Sequence, residues 1–311
     1  MQNLNNYTNI HIFGASGFLG KNLYDFFKCK DYCIHRVSLR EANWKICLNG
    51  REQVFINLIG KAHDHKGNSS VDDYFEANVG CTKTIFHAFL ESKATSFIHV
   101  SSLAALEEFE SLQPLVETDE CHPISWYGKS KRQAEEWLME QKLPENKKLI
   151  IIRPPMVHGP GDKGNLGLLY KLISKGVPYP LASFDNRRSF IGIDNFQYFI
   201  EQIIERNNVL ETGIYHVADD EAVSTKEIIA IIKKVIGKKV LDLSLPTFVI
   251  KGIAKMGDII PIPLNTKRLK KMTADLLVSN LKIKRTLKIE KLPVTASEGL
   301  EKTIRSFNQS K

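Results

Sequence analysis

The chain has 311 residues, 43% of them hydrophobic and 25% charged, and a net charge of +8. That balance supports a packed core, excludes a chain disordered throughout, and fits about two domains. No apolar run approaches the roughly 18 residues of a membrane span, and Met1-Gln2-Asn3-Leu4-Asn5-Asn6 lacks the basic and apolar regions of a secretory leader.

The run Ile10-His11-Ile12-Phe13 predicts a buried strand over 9–13, and Leu19, Leu23, Phe26 and Phe27 predict a helix over 18–28. Between them Gly14, Gly17 and Gly20 are spaced G-x-x-G-x-x-G, not the commoner G-x-G-x-x-G. Glycines at a strand-to-helix turn admit a pyrophosphate to the backbone, and the helix N-terminus offers it free N–H groups. Gly14, Ser16, Gly17, Phe18, Leu19 and Gly20 are therefore candidates to hold a dinucleotide; a tight packing turn is the plainer alternative.

A second strand is expected over 33–38. A carboxylate at its end would bind the adenosine ribose of NAD, whereas arginine suits the 2′-phosphate of NADP. Arg36 and Arg40 lie there and Glu41 falls beyond, so the reading leans to NADP over NAD. A third strand over 53–58 runs into Leu58-Ile59-Gly60. Asn78 falls within a helix expected over 72–92 and, by itself, reads as a surface polar residue. His63, His65 and His99 share no face with acidic partners, so no metal site is expected.

The fourth strand, 96–101, ends on Ser101-Ser102, which places hydroxyls where open α/β sheets bind ligands. Tyr127 follows Ser102 by 25 residues, and Lys131 stands four further on, at the start of a helix expected near 129–141. Positions i and i+4 share a helix face. An ammonium beside a phenol favours phenolate, so the tyrosine is expected to titrate below its usual value of about 10 and to exchange a proton with an alcohol or ketone. Ser102, Tyr127 and Lys131 are the candidate catalytic residues.

Strands over 148–153 and 213–217 complete an alternation that predicts a doubly wound α/β fold. Beyond Gly159-Pro160-Gly161 the pattern loosens. The expected division is a Rossmann domain over 1–160, with return segments near 190–220, and a smaller substrate domain over 161–311. The five cysteines include no Cys-x-x-Cys pair, which points to free thiols in a reducing cytoplasm, with Cys29 and Cys33 read as core or half-buried fillers. Residues 226–311 hold 19 Lys and Arg against 7 Asp and Glu. No nucleic-acid module accompanies that charge, so a solvated basic face or a field attracting anionic substrates is expected. Phe248 to Met256 has the pattern of an amphipathic helix, expected to pack on its own domain, with a membrane-surface role as the alternative.

Taken together, these residues resemble the extended short-chain dehydrogenase/reductases of the NAD-dependent epimerase/dehydratase group that modify nucleotide sugars. The resemblance rests on Gly14, Gly17 and Gly20, Asn57 to Gly60, Asn78 with Gly80 and Thr82, Ser101-Ser102, Tyr127 with Lys131, Arg153-Pro154-Pro155, Gly159-Pro160-Gly161, and Asn186 to Phe190 with Asp194. It implies cofactor contacts from Leu58, Ile59, Gly60, Asn78, Ser101, Tyr127, Lys131 and Pro154. It implies substrate contacts from Ser102, Met156, Asn165, Arg188 and Arg268, with Arg188 gripping a nucleotide diphosphate. The Arg153-to-Asp194 stretch is similar to a bacterial subgroup of UDP-sugar 4-keto reductases used in surface polysaccharide synthesis, and a 4-epimerase is the alternative. A non-catalytic dinucleotide sensor is disfavoured, because Ser102, Tyr127 and Lys131 are all present. The family further implies a homodimer through a helix pair. Three departures stand against an epimerase: Leu103-Ala104-Ala105-Leu106 after the serines, Met156 where 4-epimerases carry asparagine, and Ser183-Phe184-Asp185 before the arginines.

Overall fold

Runs rich in β-branched and aromatic residues become parallel strands in the structure, a computed structural model that describes residues 8–48, 53–62, 69–162, 164–176, 184–237, 246–260 and 265–309. The order is β1 (Thr8–Phe13), α1 (Phe18–Phe27), β2 (Tyr32–Val37), β3 (Gln53–Asn57), α2 (Val71–Phe75), a π turn (Glu76–Gly80), α3 (Cys81–Glu91), β4 (Ser96–Val100), α4 (Trp126–Met139) and β5 (Lys148–Arg153). There follow β6 (Met156–His158), α5 (Asn165–Ser174), β7 (Phe190–Gly192), α6 (Ile193–Glu205), β8 (Gly213–His216), α7 (Thr225–Ile236), α8 (Thr247–Gly257), α9 (Thr266–Thr273), α10 (Leu281–Thr286) and α11 (Ala296–Gln309).

The main sheet runs β2-β1-β3-β4-β5-β8, every pair parallel. All six strands expected from the sequence are present, within a residue of their expected bounds. Alternation along the strands sorts side chains onto two faces. Ile10, Ile12, Val54, Ile56, Ile98, Val100, Ile150 and Ile152 pack with Leu23, Phe27, Phe196 and Phe199 on one side. Phe13, Phe55, Phe97, Leu149 and Ile151 pack with Phe86, Phe89 and Leu138 on the other. Both faces are covered, as a parallel sheet requires. Strand order reverses between β1 and β3, so the ligand crevice of such a sheet falls at their C-terminal ends.

A separate apolar cluster joins Leu166, Tyr170 and Ile173 of α5 to residues of α7, α8, α9 and α11. Ile283, Leu287, Ile289 and Leu292 instead pack on the main sheet. The short parallel pair β6–β7 bridges the two regions, in register from Met156↔Phe190 to His158↔Gly192. Three-residue strands carry too little periodicity to be seen in the sequence.

Several expectations are corrected. Cys29 and Cys33 are exposed free thiols, not core fillers, because one lies just past α1 and the other points outward from the edge strand β2. Asn78 is fully buried, not a surface polar residue, because the π turn swings it toward α4. His63, His65 and Ser183 lie outside the described residues.

The turn after β1 explains its glycines. Gly14 has a φ of +85°, a conformation that penalises any side chain. A Cβ on Gly20 would sit 2.4 Å from the Gly14 carbonyl oxygen and 2.5 Å from Ala15 Cα, whereas one on Gly17 meets nothing closer than 3.4 Å. Gly20→Ala should therefore lower stability by about 1–3 kcal/mol, the usual cost of overpacking, and Gly17→Ala by much less; urea unfolding of the two variants checks this order.

Candidate active site

The glycine turn leaves α1 with Gly17 at its N-cap and no side chain closing its first turn. First-turn N–H groups of a helix have no partner within it, so they face the crevice between β1 and β3. Ser16 is exposed, while Phe18 and Leu19 pack against the sheet. At the end of β3, Asn57 Oδ1 accepts from the Ile59 N–H at 3.1 Å and shapes the Leu58-Ile59-Gly60 turn. A Cβ on Gly60 would lie 2.9 Å from Lys131 Nζ, so glycine is what lets this turn meet α4. An open helix terminus and two turns that exclude Cβ atoms fit a dinucleotide.

At the rim, Val37 closes β2 and Glu41 lies past its end. Arg36 is exposed with its guanidinium 4.6 Å from the Tyr24 ring centroid, and Arg40 is exposed in the following turn. No carboxylate ends the strand.

Helix α4 supplies the rest. Ser125 caps it, accepting from the Gly128 N–H at 3.0 Å. It starts at Trp126, three residues earlier than expected, which puts Tyr127 in its first turn. Tyr127, Lys131 and Glu135 follow at four-residue intervals and so share one face. That face lies over the strand ends: Lys131 Nζ donates to the Val100 carbonyl at 3.0 Å, and Glu135 Oε1 accepts from Ser101 Oγ at 2.5 Å. Glu135 is also held by Arg153, Nε to Oε1 at 2.9 Å and Nη2 to Oε2 at 2.6 Å, both side chains buried. Asn78 braces the back of α4, donating to Ser130 Oγ at 2.7 Å while its Oδ1 accepts from the Lys61 N–H at 2.9 Å.

The electrostatics reverse one expectation. Burial pushes the Tyr127 phenol above its ordinary value; a hydrogen bond with Ser102 pulls it back, and the Glu108 carboxylate adds to the rise. Lys131 is not what governs the phenol here. Its ammonium is turned to the Val100 carbonyl, and burial brings its own pKa down to about 8 against an opposing pull from Glu135.

Glu108 and the Glu135–Arg153 pair were not found by sequence reasoning. Glu108 Oε1 accepts from the Ile124 N–H at 3.1 Å and the Ser125 N–H at 2.7 Å, pinning the segment that leads into Tyr127. Glu135 carried one usable signal, its spacing of four from Lys131 and eight from Tyr127.

Of the remaining cofactor candidates, Pro154 is buried beyond β5, its carbonyl accepting from the Leu103 N–H at 2.8 Å. Among the candidate substrate residues, Met156 is exposed on β6. Asn165 is exposed at the start of α5. Arg188 Nη1 donates to the carbonyls of Phe109 at 3.2 Å and Ala274 at 3.1 Å, so part of its guanidinium ties two loops together. Burial lowers its pKa, but guanidinium remains charged. Arg268 lies in α9, and its side chain is outside the described ones.

A family model described as the NAD dependent epimerase/dehydratase family matches residues 10–218. The chain is 27% identical over 322 residues to a UDP-glucose 4-epimerase of Vibrio cholerae, covering 96% of this chain and 94% of that one. It is 27% identical over 256 residues to an N-acetyl-alpha-D-glucosaminyl-diphospho-ditrans,octacis-undecaprenol 4-epimerase of Escherichia coli O157:H7, covering 76% and 75%. Its fold is similar to a UDP-glucuronic acid 4-epimerase of Bacillus cereus solved with NAD, at a TM-score of 0.72, 18% identity, and coverage of 97% and 99%.

Two outcomes test these electrostatics. Glu108→Gln keeps an acceptor but removes a charge that disfavours phenolate, so the Tyr127 phenol should titrate lower than in the parent. Ultraviolet difference titration against Tyr127→Phe measures it. Lys131 titrates at about 8 folded and near 10.4 unfolded. The unfolded chain thus binds more protons across that window, and this group makes stability rise with pH. Relative to Lys131→Met, the parent should gain on the order of 2 kcal/mol between pH 8 and 10, read by denaturant unfolding at both values.

Proposed function

The chain belongs to the NAD-dependent epimerase/dehydratase family, and from that premise we propose that it catalyses oxidoreduction at C4 of a nucleotide-linked hexose, as a 4-keto reductase using NADPH. The observation that carries the reading is the gathering of Ser102, Tyr127 and Lys131 at the end of β4, with Lys131 against the Gly60 turn beside the glycine cradle. A bound nicotinamide supplies the hydride in this chemistry. Tyr127 gives its phenolic proton to the C4 oxygen, and Ser102 orients that oxygen by a hydrogen bond. A buried phenol pushed upward in pKa arrives protonated, as an acid for ketone reduction should. Lys131, at the crevice edge, holds the cofactor ribose.

Gly14 to Gly20 hold the pyrophosphate, with Leu58, Ile59, Gly60, Asn78, Ser101 and Pro154 shaping the nicotinamide side. Arg36 and Arg40 favour the 2′-phosphate of NADP. The guanidinium of Arg188 directs its remaining donors to the substrate diphosphate, and Met156 of β6, with Asn165 and Arg268 of the region beyond residue 160, supplies the sugar pocket. A homodimer is the proposed assembly.

A second reading, 4-epimerase, is favoured by what the 27% identical Vibrio cholerae relative is named for. An epimerase oxidises C4 and returns the hydride to the other face, so its cofactor stays bound through the cycle. Mass analysis of nucleotide released on denaturing freshly purified protein separates the two. Near-stoichiometric NAD selects the epimerase; an empty protein stabilised by NADPH and not NADH selects the reductase. In either case Tyr127→Phe should lower turnover by on the order of 10² or more; unchanged turnover would sink the acid/base assignment.

A further inference from the structure

Helix α8 buries Ile250 and Ala254 against its lobe, with Leu269 of α9 in the same cluster. A helix of a water-soluble surface ordinarily turns polar residues the other way. Here the opposite stripe, four residues apart, is Phe248, Gly252 and Met256, with Phe248 75% and Met256 56% exposed. Ile259 and Ile260 extend it past the helix end at 88% and 51% exposure. Lys251 and Lys255 flank the stripe, both exposed. Packing on the chain's own lobe thus accounts for only one face of α8.

Charge identifies what covers the other face. Beside the stripe the described charges are Lys251 and Lys255 against one acid, Asp258. Asp258 is occupied within the fold, its Oδ1 accepting from the Thr266 N–H and hydroxyl at 3.0 Å each, at the start of α9. An apolar stripe edged by lysines matches a lipid surface: the apolar groups enter the headgroup boundary, and the lysine stems reach along it to anionic heads. A second copy seated on the same patch would bring Lys251 and Lys255 against their own counterparts, which disfavours self-association.

We propose that α8 and the turn after it form a docking surface for an anionic lipid bilayer. The inference goes beyond the C4 chemistry and does not depend on it. The lobe it would anchor is joined to the candidate site: Lys270 of α9 pairs with Glu110 at 2.7 Å, and Arg188 Nη1 bonds the Ala274 carbonyl next to α9. Docking would therefore hold the crevice close to the membrane plane.

The test is co-sedimentation of the full chain with vesicles of phosphatidylglycerol and phosphatidylcholine, compared with phosphatidylcholine alone. The expected result is at least about tenfold stronger binding to the anionic vesicles, weakened by salt. Phe248→Ser with Met256→Ser, and separately Lys251→Glu with Lys255→Glu, should each reduce it by about tenfold or more. These side chains are exposed, and unchanged thermal melting confirms that the variants fold. Absence of binding to anionic vesicles, or equal binding by the folded variants, overturns the proposal. So does a dimer, seen by light scattering without lipid, that the serine variant dissolves. Vesicle binding has no catalytic readout, so its failure and a failure of the C4 reading are told apart.

Discussion

The buried ion pair between Glu135 and Arg153 fixes the geometry on which the candidate site depends. Glu135 is on α4 and Arg153 is the last residue of β5, so the pair welds that helix to the C-terminal edge of the sheet. Two parallel hydrogen bonds set distance and rotation together, and Ser101 takes part of the same carboxylate. With Glu135 fixed, Lys131 and Tyr127 have their azimuth dictated one and two turns up the helix. The pair need not contribute net stability, since desolvating two charges offsets most of their attraction. Its two bonds tie α4 to the end of β5 in the arrangement observed.

Around that weld the site is a set of polar braces. Asn78 holds α4 from behind through Ser130, and Glu108 holds the segment entering it. Neither group touches the crevice by hydrogen bonds to Tyr127, yet both bear on it, one by position and one also by charge. The π turn belongs with them. One extra residue in the helical path directs Asn78 inward, where a continuous α-helix would carry it elsewhere.

The C-terminal region joins the site through the apolar cluster of Leu103, Leu106, Ala218, Leu276 and Val278 and through main-chain contacts. Arg188 bridges backbone to Val223 and Leu276 while its side chain reaches Phe109. The lysine-edged apolar stripe of α8 lies on the helical cluster formed by α5, α7, α8, α9 and α11.

The six strands, the glycine turn and the Ser102, Tyr127 and Lys131 trio were legible in the sequence because each is a local pattern. Strand alternation, helical spacing and a run ending on serines are repeats of two to four residues, and backbone geometry alone gives them meaning. The resemblance to a family added the roles that spacing could not. Other properties belonged to the tertiary structure. Asn78 reads as surface until the π turn buries it, and the outward stripe of α8 is defined only once Ile250 and Ala254 choose the inner face. The direction of the Tyr127 shift follows from desolvation by neighbours on other elements, against which the local lysine could not be weighed. Pattern along the chain decides which residues share a face; burial, ion pairing and charge depend on groups far apart in sequence, and only packing brings those together.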